Sequence, residues 1–289
     1  MTRPDVSIII VNWKVRALLE KCLNSILAET GNKQLEIIVV DNDSADGTSE
    51  MVMMEYPMIR MIALPQNIGF AAANNLALEQ AHADIIFLLN PDTEVTDGFF
   101  EEALKYFKNN PSVDIVGPKI INPDGSNQSS VRRFPDLLSQ ILIMLKLKNI
   151  LVDNKLLSNY LANDFNYSKE QEVEQIMGAA MLIRRNVFEK IGKFDEKFFI
   201  WFEEVDFCLR AVQAGLKIKY IPYATIIHKG GESFSQRNSL RKQIIFNKSI
   251  LRYFFKHKPF IEWLIILLII PINILLTVFY VIFLKNKYK

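Results

Sequence analysis

At 289 residues, half of them hydrophobic, the chain can bury a sizeable core as one large domain or two small ones. Its formal charge of +2 hides an asymmetry: residues 237–289 carry ten Lys/Arg against the single acid Glu262, a balance of +9, which leaves −7 on residues 1–236. An acidic body with a basic end excludes a general nucleic-acid binder and suits contact with an anionic membrane.

The N-terminal "MTRPDVSIIIVNW" contains only a short apolar run ending in Asn and Trp, which reads as a buried strand and not as a signal peptide. Val6–Val11 is the β-branched run of a strand buried on both faces. Leu19, Cys22, Leu23 and Ile26 then mark one face of a helix. Further strands are expected at Glu36–Val40, Ile59–Leu64 and Asp84–Leu89. An Ala-rich helix should run to Ala81, and another from about Asp97 with Phe100, Ala103, Leu104 and Phe107 on one face. Repeated β-α-β-α with short connections predicts an α/β fold, a mostly parallel sheet covered by helices on both faces.

The segment Asp136 to Lys155 is apolar but too short to span a bilayer, so it is expected as a buried helix or as a surface resting on lipid. Strand pattern returns at "VEQIMGAAMLIRR", followed by a helix carrying Val205, Cys208, Leu209 and Val212 and a strand at Lys217–Ile221. "IIHKGGESFS" reads as a Gly/Ser loop. Cys22 and Cys208, the only cysteines, lack metal or disulfide spacing and are expected as buried apolar residues in a reducing cytoplasm.

Trp263 to Leu284 is 22 residues without a charge, about 33 Å as a helix, which matches a hydrocarbon core of about 30 Å. Lysines flank it on both sides, and Pro271 and Asn273 can kink it. Arg237 to Lys258 holds seven Lys/Arg against three in the tail, which tilts the charge count toward a cytoplasmic body. The expected organisation is a catalytic domain over 1–245, a basic juxtamembrane segment over 246–259, a transmembrane helix over 260–284 and a basic tail over 285–289.

Ligands of open α/β sheets bind beyond the carboxyl ends of the strands, and polar clusters fall there after each of the first four strands. They begin at Asn12, run from Asp41 to Ser44 and from Asn67 to Asn75, and close with Asn90 to Asp92. Asp41 can accept the N3–H of a uracil or thymine base. Asp92 offers a hard oxygen for Mg²⁺ or Mn²⁺, with Asn90 beside it and His228 as a further candidate. "FFIWFEEVDFCLR", residues 198–210, sets three carboxylates directly behind an apolar run, and carboxylates against apolar surface have the perturbed pKa values that general bases use. Asp206 and Arg210, an i, i+4 pair, are expected to brace that helix.

"VSIIIVNW", "EIIVVDNDSADGT", "NIGFAAANN", "FLLNPDTEV", the stretch from "GAAMLIRR" to "FEEVDFCLR", and "ATIIHKGGESF" occur in order from residue 5 to about 236. As a set they resemble family-two glycosyltransferases of the GT-A fold, most closely bacterial rhamnosyltransferases that use dTDP-rhamnose. The resemblance implies inverting transfer from a dTDP- or UDP-linked sugar to a lipid-linked or polysaccharide acceptor. Asp41 would hold the base with Asn12 and Asp43 nearby, and Asn67, Gly69, Asn74 and Asn90 would complete the nucleotide-sugar side. Asp92 and His228 would hold the metal. Gly178, Ala179 and Trp201 would face the acceptor, and Glu204 would be the catalytic base beside Glu203. The chain departs from the family in "EE" where the base is usually aspartate in "ED", and in "NPD" where many relatives have DxD. NPD fits the rhamnosyltransferase branch. Transfer of N-acetylglucosamine, galactose or galactofuranose is the rival activity, and a catalytically inactive binding subunit at the membrane is the rival of another class. The expected location is the bacterial inner membrane, with the catalytic domain facing the cytoplasm.

Overall fold

The computed structural model describes residues 3–148, 150–151, 154–230 and 239–284. The "GESFS" part of the Gly/Ser loop and the basic tail lie outside the described residues.

The first half alternates as the apolar periodicity predicts: β1 (Val6–Asn12), α1 (Arg16–Ala28), β2 (Leu35–Asp41), α2 (Thr48–Glu55), β3 (Arg60–Ala63), α3 (Phe70–Leu78) and β4 (Ile85–Leu89). The face of α1 is the one read from spacing, with Leu19, Cys22, Leu23 and Ile26 all buried. β5 (Thr93–Val95), α4 (Phe99–Asn109) and β6 (Ile115–Ile121) follow, and then the small elements β7 (Val131–Arg132), α5 (Leu137–Met144), α6 (Lys155–Tyr160), β8 (Gln171–Glu172) and β9 (Gln175–Ile176). β10 (Ala180–Arg184), α7 (Arg185–Ile191), α8 (Glu203–Gln213) and β11 (Ile218–His228) complete the body, and α9 (Ser239–His257) and α10 (Phe260–Phe279) close the chain.

The main sheet runs β3-β2-β1-β4-β10-β6-β11-β5, with β8 paired to β11. β3, β2, β1 and β4 are parallel to one another, so their carboxyl ends share one edge. β10 inserts antiparallel between β4 and β6, while β11 runs parallel to β6. β5 pairs antiparallel with the end of β11, placing Thr93 opposite His228. Apolar clusters cover both faces, one centred on α1 and α4, the other on α3, α7 and part of α8.

α8 corrects the expected face. Phe207, Cys208 and Ala211 pack on the sheet side, Val205 and Leu209 join the cluster around α9, and Val212 is exposed. The helix is held between two partners and buries two faces, which a single-stripe reading does not anticipate. The Asp206–Arg210 pair forms at 2.8 Å, and Asp206 also meets Lys256 at 2.7 Å and His257 at 2.6 Å on α9. Those contacts hold the Asp206 carboxyl at about 2 against its burial. Cys22 and Cys208 are both buried, and burial pushes each thiol up to about 12.

α10 is long and apolar enough to cross a membrane, by length and composition. It continues through Pro271 and packs along α9, and its Asn273 donates to the Met144 carbonyl at the end of α5.

Candidate active site

Strand pairing fixes the first wall. Asn12 and Asp41 are register partners at the ends of β1 and β2. The Asn12 amide donates to Ser44 Oγ and Thr48 Oγ1, both at 3.1 Å, and reaches Asp41 Oδ1 at 3.5 Å. Asp41 Oδ2 accepts from Ser49 at 2.9 Å. Asn42, buried behind this corner, donates to the Gly69 carbonyl and accepts from the Ile68 amide, stitching the second polar cluster to the third. Gly69 has φ +93°, and a Cβ there would meet the Phe199 carbonyl at 2.6 Å. The close approach lets the Phe70 amide donate to that carbonyl, which pulls the loop before α8 against the sheet edge.

A cavity of about 520 Å³ opens at this edge. Nine of the residues read from sequence line it: Asn67, Asn90, Asp92, Gly178, Ala179, Trp201, Glu203, Glu204 and His228. Asn12, Asp41, Asp43, Gly69 and Asn74 do not. Asp43 is exposed with φ +65°, and Asn74 donates back to the Phe70 carbonyl within α3 at 2.9 Å. Its neighbour Asn75 clasps Phe194 through both its amide groups and also donates to Glu196.

On one wall, β5–β11 pairing sets His228 beside Asp92, with Nε2 and Oδ1 3.3 Å apart but without hydrogen-bond geometry. The Gln128 amide donates to the His228 carbonyl, so its oxygen faces His228 Nδ1 at 2.6 Å. Nδ1 therefore carries a proton, and in the neutral tautomer Nε2 is left as an acceptor beside the Asp92 carboxylate. A buried acceptor facing a carboxylate is the donor set a divalent cation satisfies, so the pair fits a metal. No group of three or more His, Cys, Asp or Glu side chains converges among the described residues, and such an ion would complete its shell from elsewhere.

On the opposite wall, Trp201 and Phe202 both adopt left-handed backbone, φ +66° and +68°, immediately before α8. Ser249 on α9 holds this turn through the Ile200 carbonyl at 2.9 Å. The turn delivers Glu203 and Glu204 into the first turn of α8 at the cavity, where Glu203 Oε2 and Glu204 Oε2 are buried without partners. Burial and the charge of Glu204 push the Glu203 carboxyl well above its ordinary value. Burial also raises Glu204, opposed by backbone amides and by the Arg132 guanidinium. The sequence reading missed Arg132 and Gln128, and placed Asn42 in the strand-end cluster without a role of its own. Arg132 stands out only as part of an Arg pair in an acidic body, and Gln128 carries no signal.

A sequence profile of glycosyl transferase family 2 matches residues 7–192, and the chain belongs to that family. The sheet and its helices are the GT-A fold of its structural neighbours. An N-acetylglucosaminyl-diphospho-decaprenol L-rhamnosyltransferase of Mycobacterium tuberculosis is 27% identical over 237 residues, 78% of this chain and 76% of that one. A dTDP-rhamnosyl transferase, RfbF, of Shigella flexneri is 23% identical over 219 residues, 73% of this chain and 66% of that one. The mannosyltransferase PcManGT of Pyrobaculum calidifontis, solved with GDP-Man and Mn²⁺, superposes with a TM-score of 0.56 at 19% identity, covering 89% of this chain and 64% of that one.

Proposed function

We propose that this glycosyltransferase moves L-rhamnose from dTDP-rhamnose, with inversion, to a lipid-linked or polysaccharide acceptor in cell-envelope glycan synthesis. The observation that carries the reading is one cavity holding the Asp92–His228 pair on one wall and the buried Glu203–Glu204 pair on the other. The sugar is supported by the two rhamnosyl-transferring relatives and by the NPD sequence. The lipid acceptor is supported by the decaprenol-linked substrate in the name of the Mycobacterium relative and by the apolar C-terminal helix. With a cytoplasmic donor, the body sits on the cytoplasmic side of the inner membrane.

In this reading Asp41 accepts the base N3–H, steadied by Ser49 and Asn12. Asn67 and Asn90 line the path of the sugar diphosphate. A Mg²⁺ or Mn²⁺ ion held by Asp92 and His228 would supply positive charge to the leaving diphosphate. Burial and the charge of Glu204 raise Glu203 well above its ordinary value and favour its protonated form, so Glu204 is the member of the pair that this reading uses as the base. Glu204 takes the proton of the acceptor hydroxyl as that oxygen bonds to the sugar C1 and the bond from C1 to the diphosphate oxygen breaks. Arg132 and backbone amides oppose the burial that raises Glu204.

The test is a screen of dTDP-rhamnose, UDP-N-acetylglucosamine, UDP-galactose and UDP-galactofuranose against purified protein with Mg²⁺ or Mn²⁺, reading nucleotide release. Release from dTDP-rhamnose alone is expected. Turnover of a UDP-sugar in its place overturns the sugar, and release from none of them overturns the enzyme.

A further inference from the structure

α9 and α10 form an antiparallel hairpin about Pro259. Phe255 meets Trp263 with ring centroids 5.9 Å apart, Ile250 and Phe254 pack with Ile266, and Asn247 donates to Asn273 at 2.9 Å. Thr277 reaches Gln243 at 3.5 Å. The contacts therefore run nearly the whole length of α10. Its inner face, Ile266, Asn273 and Thr277, is buried. Its outer face is bare: Ile261, Leu268 and Leu275, with Ile282 in the π-helical turn Tyr280–Leu284 that continues it, are seven residues apart and 60%, 65%, 69% and 53% exposed.

α9 itself is tied to the body of the fold by charge. Arg252 binds Asp195 at 2.8 Å, and Lys256 binds Asp206. It also carries Arg241, Lys242 and Lys248. A helix that crossed a bilayer would take this charged neighbour into the hydrocarbon with it, or would strip Asn273 from Asn247 and Met144. A helix lying flat needs neither, since it keeps its polar inner face on protein and gives lipid only its outer stripe.

We propose that α10 lies in the plane of one membrane leaflet, its stripe of Ile261, Leu268, Leu275 and Ile282 in the acyl region, and does not cross. The occupant is an anionic bilayer surface, because the apolar stripe sits in a segment with a balance of +9 against −7 for the rest of the chain. Phe246 of α9 lines the catalytic cavity from the same hairpin, so the lipid-bound element is also a wall of the site.

Two measurements on the full-length protein decide this, and neither depends on the identity of the donor. The first places a cysteine at the chain end by Lys289→Cys and labels cells with a membrane-impermeant maleimide. Labelling only after lysis, as for a cysteine on the body, is expected. Labelling of intact cells means that the helix crosses and overturns the proposal. The second is flotation of purified protein with vesicles of phosphatidylglycerol or of phosphatidylcholine. Wild type should float with the anionic vesicles, and Leu268→Glu/Leu275→Glu should lose binding on the order of 10²-fold while keeping its melting temperature and donor hydrolysis. Unchanged flotation of the variant overturns the lipid contact. A wild-type dimer that the double variant turns into monomers, with flotation unaltered, would assign the stripe to a second copy of the chain.

Discussion

The sheet corner behind the cavity and the lining of the cavity treat their polar groups in opposite ways. Along the ends of β1, β2 and α3, the amide nitrogens of Asn12, Asn42, Asn74 and Asn75 are all engaged in holding loops together. In the lining, which α8, β11 and the segment before β7 build, Glu203, Glu204, His228 and Ser130 each keep a buried polar atom without a partner. Asn12 Oδ1 is the exception on the first side. A buried unpaired polar atom costs stability, so a cluster of them marks groups kept for a ligand, whereas satisfied amides mark a scaffold. The corner has the marks of a scaffold, and the lining those of groups kept for a ligand.

The sharpest way to break this contrast is to withhold divalent ions. EDTA should abolish sugar transfer and Mg²⁺ or Mn²⁺ should restore it. Asp92→Ala should weaken nucleoside-diphosphate binding only when metal is present, as titration calorimetry with and without metal would report. Equal affinities for wild type and variant would remove Asp92 from the site.

Glu204→Gln comes next, with a loss on the order of 10²–10⁴ in kcat at unchanged donor affinity. In the wild type, kcat should fall as pH drops through the raised Glu204 value, so the acid limb lies above the usual carboxylate range. Glu203→Gln should cost less, because burial and its neighbour already favour the protonated form of that side chain. A Glu204→Gln enzyme with wild-type turnover would remove Glu204 as the base.

Asp206→Asn sharpens the contrast from the structural side. The Asp206 carboxyl is held at about 2 against an ordinary 3.8, so it contributes stability that is present above 3.8 and is lost as pH falls toward 2. Removing the charge should destabilise the protein by about 3 kcal/mol near neutral pH, the range for breaking a buried ion pair. The variant's urea midpoint should also vary less with pH over that acid window.

Gln128→Leu frees the His228 ring and should lower metal affinity about 10- to 100-fold with a normal melting temperature. The smallest effect belongs to Asn74→Ala, a loss of about 1 kcal/mol with donor KM unchanged. A large rise in KM instead would put Asn74 back among the nucleotide contacts.

Much of this was legible because strand ends and helix faces follow from short-range periodicity. The buried face of α1 and the polar clusters at the ends of β1, β2 and β4 are local patterns. The antiparallel insertion of β10 was not legible, since an apolar run does not encode the direction of its neighbours. α2 went unread because its short, Met-rich stretch buries only Thr48, Met51 and Val52. Asn74 and Asn75 look alike in "AAANN", and only the packed loop at Phe194 separates them. Gln128 and Arg132 enter the site from a segment whose position depends on β7–β9 pairing, a contact over 40 residues long in sequence.

Asp206 joins α8 to α9 from the side of the helix away from the cavity, and α9 packs along α10. In the function and membrane contact proposed above, Glu204 and the apolar stripe are then parts of one bracket, and the fold sets the height of Glu204 above the bilayer. With that height fixed, reach would select among lipid-borne glycans: a sugar too near the headgroup or too far along the chain would not present its hydroxyl to Glu204.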